Sequence, residues 1–152
     1  MSQLILSFFF ALAATLGFCI LFHVPQKSIL PASIVGGLGW LCYQFSVYMG
    51  NGKVLSCFLG ACAVAILGDI LSRRLKEAAT VFVIPGILPL VPGAGAYYTM
   101  LAIIESDLER TAEVGTETLL MAGAIAVGLM AVASVDKIIV HNDRKNIAFI
   151  TR

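Results

Sequence analysis

Three of the five prolines in this sequence, Pro85, Pro89 and Pro92, fall within eight residues, interleaved with Gly86, Gly93 and Gly95. Each proline lacks an amide hydrogen and crowds the carbonyl four residues before it. The carbonyls of Val81, Pro85 and Leu88 are therefore expected to lose their helical partners. A second half-helix is expected to begin near Pro92, which suits a first-turn position. The amides of Gly93, Ala94 and Gly95 would then form the positive end of that helix. Such an end binds a carboxylate without any formal charge on the protein, while the freed carbonyls accept an ammonium or hydroxyl group. The alternative is a proline kink that only shapes helix packing.

Other residues could serve the same chemistry. Tyr97 follows about one turn into the second half-helix, where its hydroxyl either contacts a substrate or satisfies a neighbouring helix. Trp40, Gln44 and Tyr48 share a helix face at spacings of four; Trp40 and Gln44 either pack against protein or line a pathway. Asp69 is the one charge inside an apolar segment, which makes it a candidate for proton coupling. It also stands four residues before Arg73, the spacing of an ordinary ion pair on one helix. Glu105 and Asp136, at span ends, read as solvated. Histidine is the side chain type that can change charge near neutral pH, but His23 and His141 fall at membrane edges. Cys19, Cys42, Cys57 and Cys62 lie in apolar segments and read as small structural residues. No metal-ligand spacing, nucleophile elbow or cofactor motif is present, so neither an enzyme nor a cofactor is expected.

These residues sit in a very apolar chain. Of 152 residues, 59% are hydrophobic and 12% charged, and the formal net charge is +1. Mean hydropathy is +0.95. A soluble domain carries roughly 25% charge, so a soluble enzyme, a disordered chain and a nucleic-acid binder are all excluded. Residues 1–26, 28–52, 78–104 and 118–135 carry no charge, and 54–72 carries only Asp69. A bilayer core of roughly 30 Å takes about 20 helical residues to cross, so each segment is about one span.

The expected fold is an all-α membrane protein, a single integral membrane domain over 1–152. Its spans are placed at about 4–22, 29–49, 54–72, 79–104 and 118–136. The fourth is broken by the proline–glycine motif, with 89–95 near mid-membrane by position in the segment. The first segment lacks the basic leader of a cleaved signal and reads as a retained span. With five crossings, Lys27, Arg73, Arg74, Lys76, Lys137, Arg144, Lys145 and Arg152 fall on one side, and Lys53 and Arg110 on the other. The positive-inside rule then puts the N-terminus outside and the C-terminus inside.

Small residues recur at helix-packing spacing: Ala61 with Ala65, Ala122 with Ala126, and Ala124 with Gly128. The connector 105–117 is acidic, and Ser106 to Glu109 has capping-box spacing, so a short surface helix is expected to about Gly115. The basic tail from Lys137, with Ile147, Phe149 and Ile150, is expected on anionic lipid or on a partner.

Pro89-Leu90-Val91-Pro92-Gly93-Ala94-Gly95-Ala96-Tyr97, after Ile84-Pro85-Gly86, resembles the proline–glycine signature of the threonine/serine exporter (ThrE) family. Over nearly its full length the chain looks like the small YjjB-type subunit, the equivalent of the C-terminal half of the fused exporter. The span end Phe22-His23-Val24-Pro25, the Gly-rich second span and the acidic connector carry the same resemblance. It implies a bacterial inner-membrane exporter of small carboxylate metabolites: threonine and serine for fused proteins, succinate for the split type. It also implies a YjjP-like large partner subunit and coupling to the proton gradient. An assembly subunit that supports such a partner without transporting is the second reading.

Overall fold

The computed structural model describes the backbone of residues 2–150 and the side chains of residues 4–137. His141 and the tail residues Ile147, Phe149 and Ile150 therefore lie outside the described side chains.

Among the described residues the chain is entirely helical. Its helices are α1 (Ser2–Leu21), α2 (Gln26–Tyr48), α3 (Lys53–Leu75), α4 (Thr80–Ile87), α5 (Gly93–Ile104) and α6 (Leu108–Ile150), with a 3-10 turn at Leu88–Leu90. Four helices are long and apolar enough to cross a bilayer. The pair Thr80–Leu90 and Gly93–Ile104, bent by 49°, makes a fifth if the two halves form one span.

The turns follow one rule. At His23, Lys76 and Ser106 the backbone is left-handed, with φ of 54°, 55° and 58°, and Gly50 has φ of 87°. At each, the next amide donates to the carbonyl five residues earlier. Val24 reaches Cys19 at 3.0 Å, Asn51 reaches Ser46 at 3.2 Å, Glu77 reaches Ser72 at 3.2 Å, and Asp107 reaches Ala102 at 3.0 Å. These are Schellman closures, which satisfy carbonyls that a helix end leaves bare. Only Gly50 is the residue the motif favours.

Glycines set how close the central helices come. An added Cβ at Gly60 of α3 would lie 3.2 Å from the Gly39 carbonyl of α2. One at Gly86 of α4 would lie 3.1 Å from Val35 and 3.2 Å from Val64. Val35, Val64, Ala61, Cys57, Leu90 and Ile125 form the main buried cluster. Without a hydrophobic drive between helices in lipid, this close backbone approach is what holds them together. The Ala124–Gly128 face is used in this way: a Cβ at Gly128 would lie 3.1 Å from that of Ala61. The Ala122–Ala126 face is not; both residues are exposed.

α3 and α6 run parallel and are pinned at both ends. Lys53 pairs with Glu117 at 2.9 Å, and Arg73 pairs with Asp136. About 20 residues of α3 separate the two pins, roughly 30 Å of helix, which is the thickness of a bilayer core.

Two boundaries differ from the sequence expectation. The acidic connector is no separate surface helix: α6 runs unbroken from Leu108, so connector and last span are one rod. Its cap is Asp107 rather than Ser106, since the Asp107 carboxylate accepts the Arg110 amide at 3.0 Å. Ser106 is spent on the preceding turn, where its left-handed backbone rules out the extended conformation a cap needs.

Candidate functional site

The unwound segment joins α4 to α5. α4 tolerates Pro85 within its length and gives way at Leu88 to the 3-10 turn that holds Pro89. The carbonyls of Val81 and Pro85 face prolines four residues on and receive no amide from them. The Leu88 carbonyl is not free as expected: the Val91 amide donates to it at 3.2 Å. Tightening to a 3-10 turn supplies the bond that Pro92 cannot. Pro92 is the residue before α5 rather than its first turn. The Gly93 amide is also taken, donating to the Val91 carbonyl at 2.7 Å. Ala94 and Gly95 occupy the first turn of α5, where a helix has no carbonyl of its own to offer.

Neighbouring contacts fix the depth of this break. Leu90 packs on Gly60, whose Cβ position is 3.0 Å from a Leu90 methyl. That contact is about 10 Å along α3 from Lys53. Gly95 packs on Thr118, beside the Glu117 that pairs with Lys53. The break therefore climbs from inside the bundle to the level of the Lys53–Glu117 pair. It is displaced toward that end from the midpoint that residue counting gives, because helices α5 and α6 are in register through Gly95 and Thr118. Past that level α5 and residues 108–117 continue as a hairpin, with Thr99 against Gly115.

Four of the expected site residues, Trp40, Pro89, Pro85 and Asp69, fall in three grooves. The first, about 310 Å³, is lined by Ser7, Phe10, Ala11 and Ala14 of α1, Trp40 of α2 and Pro89. It brings together Trp40 and Pro89, which are distant in sequence. Trp40 is held by Tyr43, the ring centroids 5.1 Å apart. Gln44, a turn further along, is half-buried and outside this lining.

The second groove, about 470 Å³, takes Pro85 with Ile84, Thr80 and Val81 on one wall and His23 and Phe22 on the other. Pro85 and Pro89 are one turn apart, so both grooves lie along the α1 side of α4 and its 3-10 extension. Both volumes are in or near the range of small-molecule sites.

Gly93, Ala94 and Tyr97 face away from both grooves. Gly93 and Ala94 are exposed, and a Cβ at Gly93 would meet nothing within 4 Å. Tyr97 is 63% exposed and stands edge-on to Tyr98.

The third groove, about 280 Å³ between α3 and α6, holds Asp69, Arg73 and Asp136 among Ile66, Ile70 and Val132. Two sequence expectations change here. Arg73 pairs across to Asp136 rather than along α3 to Asp69, and Asp136 is paired rather than solvated. Glu105 too is engaged, 3.5 Å from Arg110. The signal for the cross-helix pair was present: Arg73 and Asp136 are the first charges beyond the apolar stretches of two helices that run parallel.

A family model described as Threonine/Serine exporter, ThrE, matches residues 7–135, most of the chain. The chain belongs to the threonine/serine exporter family. It is thus a transporter-family, multi-pass protein of a bacterial membrane. An uncharacterised protein of Haemophilus influenzae is 28% identical over 137 residues, covering 85% of this chain and 46% of that protein. A probable threonine/serine exporter of Mycobacterium tuberculosis is 29% identical over 119 residues, covering 77% of this chain and 22% of that protein. The chain thus spans less than half the length of these two curated relatives. No solved structure matches it.

The family match runs from α1 into α6, so it includes both proline grooves and Arg73, and ends one residue before Asp136.

Proposed function

We propose that this chain is a membrane subunit of a secondary exporter of small carboxylate metabolites, threonine and serine or a dicarboxylate such as succinate. The observation that carries this reading is the groove shared by Trp40 and Pro89, set against a span that unwinds between Leu90 and Gly93. Irregular backbone at membrane depth is tolerated where protein or a watery cavity covers it, and broken helices of this kind hold substrate in secondary transporters. Pro85, Pro89, Pro92, Gly93, Ala94, Gly95, Tyr97, Trp40 and Gln44 form the proposed substrate pathway, and the proton gradient drives it with Asp69 as coupling candidate.

The proposed orientation keeps the N-terminus outside and the C-terminus inside, on the distribution of lysine and arginine. The break then lies toward the outer side. A YjjP-like large subunit completes the machine. In support, Gly93, Ala94 and Tyr97 are open to the outside of this chain, a surface that such a subunit would cover.

The test is release of threonine, serine and succinate from cells expressing the chain with its partner. Gly93→Leu in that complex is expected to abolish release while leaving the complex assembled. The same exposure of Gly93 favours the second reading, an assembly subunit whose partner carries the whole pathway. Unchanged release by the Gly93→Leu complex would select that reading.

A further inference from the structure

α5 turns one face to α6 and leaves the opposite face open. Gly95 and Thr99 meet Thr118 and Gly115 of α6, and Ala102 on the same face is buried. The opposite face, at helical spacings of three and four, holds Gly93, Tyr97, Met100 and Ile104. All four are exposed, Met100 at 62% and Ile104 at 75%. No residue of α5 is charged. Lipid does not account for this face. Gly95 lies level with the Lys53–Glu117 pair, and α5 runs on to Ile104, about 14 Å beyond it. α3 already fills a bilayer core between Lys53 and Arg73. A bilayer moved outward to cover α5 would draw Lys53, Glu109, Arg110, Glu113 and Glu117 into hydrocarbon, which charged side chains resist. Apolar surface standing in water marks a contact with protein.

The rim of the face selects the partner. Glu109 and Glu113 stand one turn apart on α6, exposed, and pair with no cation among the described residues. The two described side-chain cations at this end are already engaged, Lys53 with Glu117 and Arg110 with Glu105. A second copy of this chain would therefore bring acid against acid with no free described cation to offset it. We propose that the face of Gly93, Tyr97, Met100 and Ile104 docks, outside the hydrocarbon, an apolar helix of a different polypeptide that sets lysine or arginine against Glu109 and Glu113. A Cβ at Gly93 would meet nothing within 4 Å, so the partner's backbone comes closest there. The inference deepens the proposed export reading, on which the choice of the large subunit as that polypeptide rests.

The test places the full chain in lipid nanodiscs, alone and with the large subunit, in a background where the native cysteines are replaced. In the chain alone, a fluorophore on Ile104→Cys is expected to be quenched by aqueous iodide and not by brominated lipid. On Val127→Cys, exposed on α6 within its span, the reverse is expected. The large subunit should shield Ile104→Cys from iodide, and a photocrosslinker there should join the two polypeptides. Met100→Glu is expected to weaken binding of the large subunit roughly tenfold, the scale of one buried interface side chain. Glu109→Lys with Glu113→Lys is expected to slow association roughly tenfold at low salt and to leave dissociation nearly unchanged. All three substituted positions are exposed, and an unchanged melting temperature of the chain alone confirms that binding is what is read. Quenching of Ile104→Cys by brominated lipid overturns the proposal, as does crosslinking between two copies of this chain. Wild-type affinity in Met100→Glu, unchanged association in the double lysine variant, or no binding of the large subunit overturns it too. None of these readouts uses metabolite release, so a failed docking face leaves the export reading standing, and failed export leaves a measured docking face standing.

Discussion

Gly95 of α5 lies so close to the Thr118 hydroxyl of α6 that any side chain added there collides with it. Two residues earlier, Gly93 opens onto free space. The two glycines of one motif therefore do different work: Gly95 lets α5 and α6 meet, and Gly93 keeps a surface open.

Substituting them separates packing from pathway. Gly95→Leu is expected to destabilise the purified protein by about 1–3 kcal/mol, the usual cost of overpacking. Gly93→Leu is expected to change stability by less than about 0.5 kcal/mol, as at an uncrowded surface position, yet to reduce export. Thermal unfolding in detergent reads the first effect, and metabolite release reads the second. Equal stability of the two variants would contradict the Gly95–Thr118 contact.

Pro89 ends the α-helical run of the fourth span. Pro89→Ala restores an amide to the Pro85 carbonyl, so α4 is expected to extend through residue 90. Stability should rise by about 1 kcal/mol, part of what an interior proline costs. Export should fall as the break straightens. Slower hydrogen exchange at 89–91 is the direct measurement.

Ser106 holds a left-handed conformation with φ of 58°, a region that costs a non-glycine residue roughly 1–2 kcal/mol. Ser106→Gly is expected to raise stability by about 1 kcal/mol, since glycine adopts that conformation freely. The Asp107 cap of α6 should persist, which makes a shift in melting temperature without loss of helix the expected result.

The proposed orientation is tested by thiol labelling of intact cells in a background where the native cysteines are replaced. Arg110→Cys is expected to react with a membrane-impermeant reagent from outside. Arg74→Cys is expected to react only after permeabilisation. Labelling of both from one side would remove the odd number of crossings, and with it the reading of Thr80–Ile104 as one bent span.

The sequence by itself determined the class and the number of candidate crossings. Hydrogen bonding and hydrophobicity along a single segment are local properties, so five apolar stretches and a helix broken at Pro89 were legible without coordinates. The ends of helices were partly legible. Gly50 announced its turn, whereas His23, Lys76 and Ser106 did not, because there the six-to-one hydrogen bond, not the side chain, selects the left-handed backbone.

Tertiary structure alone decided which groups meet. Arg73 had a partner available four residues away on its own helix and took Asp136, 63 positions distant, because α3 and α6 lie side by side. Trp40 reached Pro89 because glycines at 39, 60 and 86 let α2, α3 and α4 approach closely. The depth of the break was likewise set by Leu90 on Gly60 and Gly95 on Thr118. Contacts between helices depend on relative rotation and translation, which no single segment encodes.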